Sequence, residues 1–106
     1  MTDEMKRLIE DAARLLWING FWSVNGISYY EGDDSSNRIC YFNPLDPERG
    51  DLMKVAMAAK LIVGGCLVSA EDFHSIKYSY PRGDYDSLAL AVLRAASAVL
   101  KAREGE

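Results

Sequence analysis

The chain has 106 residues, 49% hydrophobic and 26% charged, with a formal net charge of -4 and a pI near 4.9. That length accommodates one hydrophobic core and excludes a second, so residues 1–106 are read as a single domain, and the composition excludes a disordered or low-complexity chain. The negative field excludes nucleic acid as a general partner, although Arg38 and the Arg49, Lys54 and Lys60 series form a local positive set suited to a mononucleotide or a protein carboxylate.

The first element is a helix over 4–18. Met5, Leu8, Ile9, Ala12, Leu15 and Leu16 recur at spacings of three and four, which draws one apolar stripe. Asp3 is its expected N-cap, and Asn19-Gly20 its expected stop, because glycine tolerates the left-handed conformation that ends helices. Aromatic and β-branched residues then form strands over 21–24 and 27–30. Asn25-Gly26 between them is the strongest short hairpin signal, since a type I′ turn needs positive φ at both central positions. A polar loop over 31–37 leads to a third strand over 38–42, completing an antiparallel meander. Asn43-Pro44-Leu45-Asp46-Pro47 stops that strand, because proline cannot donate to a ladder and restricts the residue before it. The next helix is expected over 50–60, with Asp51 in its first turn favouring the helix dipole. Two further strands, over 62–69 and 73–80, flank the acidic turn Ala70-Glu71-Asp72, with Gly64-Gly65 marking a bulge or a helix exit. After the turn Pro81-Arg82-Gly83-Asp84, a final helix over 86–103 carries Leu88, Ala89, Val92, Ala95, Ala96, Val99 and Leu100, read as the clearest amphipathic pattern in the chain. The expected fold is α+β, in the order α-β-β-β-α-β-β-α: a mostly antiparallel sheet of about five strands packed with three helices.

No apolar run reaches the roughly 18 residues needed to span a bilayer, and Thr2, Asp3 and Glu4 stand where a signal peptide would be basic, so the expected location is the cytoplasm. Cys40 and Cys66 form no C-x-x-C pair and no disulfide framework; both are expected to be reduced core thiols.

The aromatic pair Tyr41 and Phe42 precedes Asn43-Pro44, and Asp51 opens the following helix after Gly50. With the Arg94-Ala95-Ala96 centre of the closing helix, these residues resemble the phage α/β/α sandwich domain family of phage and prophage proteins. The resemblance covers most of the chain and departs from the family pattern at Gly64-Gly65-Cys66-Leu67. It implies a phage origin and a sandwich fold, and brings no catalytic residues with it.

No catalytic residue and no enzyme activity are expected from the residues themselves. A Ser-His-Asp or Cys-His site would need the lone His74 beside a nucleophile, and His74 is read as an ordinary strand residue near an acidic turn. No metal or cofactor is expected: one histidine and two separated cysteines make no zinc set, Asp33-Asp34 lack calcium-loop spacing, and neither phosphate-loop nor nucleophile-elbow motifs occur. Asp84 and Asp86 read as a helix N-terminus.

The aromatic residues exceed what one core face requires. Rigid aromatics with nearby arginines are common to ligand pockets and protein hot spots. The candidate binding residues are therefore Trp22, Tyr29, Tyr30, Arg38, Tyr41, Asn43, Asp46, Arg49, Tyr80 and Arg82. Three functions follow as expectations. The first is an anti-defence accessory protein that sterically blocks a host protein. The second is a sponge for a small nucleotide-like ligand, with aromatics stacking the base and Arg38, Arg49 or Arg82 on phosphate. The third is a structural or assembly protein, a homodimer built on an exposed strand edge around residues 27–30.

Overall fold

Helix α1 spans Asp3–Leu15 and buries Leu8, Ile9, Ala12, Ala13 and Leu15, the stripe its spacing predicts. These positions and the rest of the fold come from a computed structural model describing residues 2–18, 20–23, 26–31 and 38–105. The N-cap is Thr2 rather than Asp3: its Oγ1 accepts the Met5 N–H at 3.1 Å, leaving Asp3 and Glu4 in the first turn, where their charge favours the dipole. The helix also stops earlier than expected. Leu16 is the C-cap, Trp17 takes a left-handed φ of 60°, and the N–H groups of Trp17 and Ile18 donate back to the Arg14 and Ala13 carbonyls at 3.1 and 2.9 Å. This is a Schellman ending with tryptophan in the place glycine usually takes. Gly20 has a different task. It opens strand β1, where a Cβ would collide with the Ser28 carbonyl oxygen.

Strands β1 (Gly20–Ser23), β2 (Gly26–Glu31) and β3 (Arg38–Phe42) form the expected antiparallel meander. Ser23 pairs with Gly26, so Gly26 already belongs to β2, and the intervening positions 24 and 25 lie outside the described residues, as do positions 32–37 of the expected loop, with Asp33 and Asp34. Trp22, Ile27 and Phe42 stand opposite one another across the sheet and face the core together with Tyr29. β2 is the central strand, so residues 27–30 offer no free edge. The expected dimer edge there is incorrect: both sides of β2 carry ladder partners.

Helix α2 spans Asp51–Ala58, entered through Gly50 at a left-handed φ of 75°. It ends before residue 60 because Lys60 turns left-handed, φ 55°, with its N–H on the Met57 carbonyl at 3.2 Å. The run expected as one strand over 62–69 is a hairpin of β4 (Leu61–Gly64) and β5 (Leu67–Ala70). Gly65 and Cys66 turn it with φ values of 59° and 65°, the double positive φ of a type I′ turn. Cys66 thus sits at a half-buried hairpin tip rather than in the core. The last strand, β6 (Lys77–Ser79), is shorter than expected because the Ile76 N–H donates to the Phe73 carbonyl at 3.0 Å and closes a turn. β4, β5 and β6 make a second three-stranded antiparallel sheet, with β4 and β6 at its edges.

Helix α3 spans Tyr85–Glu104, capped by Asp84, whose carboxylate accepts the Asp86 N–H at 3.1 Å and the Ser87 hydroxyl at 2.6 Å. Its buried residues, Ala89, Ala91, Val92, Leu93, Ala95, Ala96, Ser97 and Val99, spread well beyond a single stripe. The reason is its position: α1, α2 and all three strands of the second sheet lie against it. α1, not α3, is the more sharply two-faced helix. The α+β class, the three helices and the antiparallel pairing agree with the sequence; the strands divide between two sheets instead of sharing one. No helix among the described residues is long and apolar enough to cross a membrane.

Candidate functional site

The 43–51 turn folds through its own polar side chains. The Asn43 Oδ1 accepts the Leu45 N–H at 3.1 Å, and Asp46 Oδ1 accepts the Glu48 N–H at 3.0 Å, the local bonds for which Asn and Asp suit turns. Asp51, buried at the start of α2, gathers the loop: its Oδ2 accepts the Asn43 N–H at 3.0 Å and Arg49 Nε at 2.8 Å, and its Oδ1 lies 3.6 Å from the Lys54 ammonium. Arg49 also donates to the Tyr41 carbonyl, and its charged form is favoured chiefly by the hydrogen bond to Asp51. Tyr85, whose phenol is pushed above its ordinary pKa by burial, reaches over from α3 to donate to the Pro44 carbonyl at 3.0 Å. Asn43, Asp46 and Arg49 therefore all hold the turn together.

The remaining candidates do not converge. Trp22 is half-buried, its Nε1 donating to Glu10 at 2.6 Å and its ring 5.8 Å from the Lys6 ammonium. Tyr29 is half-buried beside the core, and Tyr41 is exposed on the opposite face of its sheet. The side chains of Tyr30 and Arg38 lie outside the described part of the structure. Tyr80 and Arg82 belong to the other end of the chain, Tyr80 half-buried after β6 and Arg82 exposed in the turn before α3. His74 is exposed. Among the described residues, no three His, Cys, Asp or Glu side chains are grouped to hold a metal ion.

The most distinctive surface lies where α1 and α3 end together. Trp17 stands 92% exposed at the left-handed C-terminal turn of α1. It forms one wall of a groove of about 480 Å³, whose other lining residues are Arg14, Leu15, Ile18, Leu100, Arg103 and Glu104. Arg14 spans from Glu104 at 3.0 Å to Asp11 at 3.5 Å, and Arg103 donates to the Ala58 carbonyl at the end of α2 at 3.1 Å. A second hollow of about 260 Å³ adjoins it through Arg14 and Ile18 and is bounded by Glu10 and Trp22.

Of the expected binding residues, Trp22 alone lines either hollow. Trp17 had a legible signal: nine residues on from Leu8, it falls about 180° from that residue on a helical projection, an indole on the polar arc. Its partners Leu100 and Arg103 had none, because only the packing of α1 on α3 brings them near. No family model matches the chain, and no curated protein or solved structure is significantly similar to it.

Proposed function

We propose that this protein is a phage or prophage accessory protein, active in the host cytoplasm, that works by binding a host protein and blocking its surface rather than by catalysis. The observation that carries this reading is the apolar character of α2 and the β4–β5 hairpin. Met57, Met53 and Ile62 are 72%, 63% and 60% exposed, and Leu67 is exposed on the same face of the hairpin as Ile62. Exposed apolar side chains on neighbouring elements mark interaction surfaces, and flexible methionines adapt to partner shape. β4 is also an edge strand, whose unpaired backbone offers a partner a ladder to join. The contact surface thus moves from the aromatic meander to α2 and β4.

The sponge reading has one feature in its favour, a groove within the size range of ligand pockets. Its electrostatics are poor for phosphate: α1 and α3 both point their negative C-terminal ends at the groove, and Arg14 is paired with Glu104.

Affinity capture from a defence-bearing host separates the readings. The tagged protein is expected to retain a discrete host protein, and the double variant Met57→Glu, Ile62→Lys to lose it while keeping its thermal midpoint. Failure to retain any host protein at micromolar concentration, together with a thermal shift on adding nucleotides, would replace blocking by sequestration.

A further inference from the structure

We infer that the free edge of β6 takes up an extended, acidic segment of a partner protein, which joins the three-stranded second sheet as a further strand and lies in a trough over α3. The inference is independent of the host-protein reading, which uses α2 and β4, at the opposite edge of that sheet.

The backbone sets the first requirement. The Tyr80 N–H donates to the Cys66 carbonyl at 2.9 Å, the Ala70 N–H donates to the Ile76 carbonyl at 3.2 Å, and Val68 stands opposite Tyr78. Residues 76, 78 and 80 thus turn their polar groups toward β5, and by the alternation of an antiparallel ladder Lys77 and Ser79 turn theirs outward. An extended chain carries N–H and C=O groups at the spacing that matches them.

Space for side chains lies along the same edge. Two hollows meet at Tyr78 and Arg94 over one stripe of α3. The smaller, of about 190 Å³, has an apolar wall of Tyr80, Pro81, Leu90 and Ala91. The larger, of about 340 Å³, runs from Arg94 past Ala98 to Lys101, with Glu4 and Leu8 of α1 on its far side. The residues that α3 gives to one hollow, 87, 90, 91 and 94, recur seven positions on, at 94, 97, 98 and 101, in the other. The hollows therefore follow one another at about 10 Å along the helix, the reach of about three extended residues.

Charge decides the occupant. Arg14, Arg49, Lys54, Lys60 and Arg94 sit in ion pairs. Lys77 on β6, Arg82 in the turn after it and Lys101 at the end of the larger hollow are exposed and, among the described residues, form none. Carboxylates along an added strand complement these three cations. A second copy of β6 would set lysine against lysine, and a nucleic acid would bring no ladder and would meet the net charge of -4. Arg94, between the hollows, already holds one carboxylate, that of Glu4 at 3.1 Å. Both side chains are exposed, so a ligand carboxylate can take the place of Glu4 at small cost.

Fluorescence anisotropy of a labelled eight-residue peptide of alternating glutamate and valine tests this directly. The peptide is expected to bind, more weakly as salt rises, and the same peptide with lysine for glutamate is expected not to bind. Methylating the peptide nitrogen at every second residue separates strand addition from charge attraction. One phase removes the N–H groups that face β6 and should abolish binding, and the other should leave it largely intact. Lys77→Glu with Lys101→Glu should weaken binding about tenfold, whereas Glu4→Gln should tighten it. Ser79→Pro deletes an outward N–H at an edge position open to proline and should abolish binding with little change in thermal midpoint. No binding of the glutamate peptide at millimolar concentration overturns the inference, as does indifference to the phase of methylation. Equal binding of the lysine peptide overturns it too, and equal binding of a single-stranded oligothymidylate would reduce the cations to a patch for any anion.

Discussion

A left-handed residue other than glycine costs about 1 kcal/mol, and the described residues include three: Trp17, Lys60 and Cys66. At Lys60 the conformation lets α2 hand over to β4. At Cys66 it supplies the second centre of a type I′ turn, a position where glycine is the favoured residue. Cys66→Gly is therefore expected to stabilise the protein by about 1 kcal/mol, read as a higher urea midpoint at unchanged slope. Asp84 sets the acid limit of another local device. The Ser87 hydroxyl, helped by the N–H groups of Ser87 and Asp86, holds its carboxyl below the ordinary value of 3.8. Because the folded-state value is the lower one, the stabilisation is complete above the ordinary value and disappears as pH falls through the folded one. Asp84→Asn should flatten that part of the acid-side fall in thermal midpoint and leave the neutral-to-alkaline part parallel to wild type.

Among the elements, the 43–51 turn depends most on one side chain. Asp51 binds the Asn43 N–H, the Arg49 guanidinium and the Lys54 ammonium from a buried position. Asp51→Ala leaves the Asn43 N–H and Arg49 without that acceptor and removes an N-terminal charge from α2, an expected loss of about 2–3 kcal/mol in chemical denaturation. Arg49→Ala should cost less, since its own side chain reaches solvent. This element also marks how far the sequence could be read. The proline stop, Asp51 at the helix start and the aromatic and β-branched runs of the meander are local signals, and each corresponds to an observed element. The β4–β5 hairpin carried only the ambiguous signal of Gly64-Gly65, which reads equally as a bulge or a helix exit, and cysteine is not a residue turn chemistry would suggest at position 66. The groove was less legible still. Trp17 advertises itself as an indole on a polar arc, but Leu100 and Arg103 join it only through tertiary packing.

Across the whole molecule, the seam between α1 and α3 decides stability. Asp11 and Ser97, both buried and 86 positions apart in sequence, share a hydrogen bond of 2.6 Å there. Ser97→Ala would leave a buried carboxylate oxygen short of its donor, at an expected cost of about 1–3 kcal/mol. Asp11→Ala combined with Ser97→Ala should lose less than the sum of the single changes, because neither remaining side chain then carries an unmet polar group; a double-mutant cycle measures the difference. Outside the core the same two helices are joined by Arg94 with Glu4 at 3.1 Å and Arg14 with Glu104 at 3.0 Å.

That seam has a bearing on how the chain comes to fold at the ribosome. α3 is the last element in sequence, yet Val92, Leu93, Ala95, Ala96 and Val99 fill the centre against which the two other helices and one sheet are packed. A nascent chain that has released α1, both sheets and α2 has elements without a common interior, and contacts spanning about the whole chain close slowly. Folding must await the emergence of α3, which leaves Leu52, Val55 and Val68 uncovered during synthesis although they are buried in the finished fold. A chain cut before Val92 is therefore expected to lose its cooperative unfolding transition, as circular dichroism would show, because the residues that fill the interior are gone.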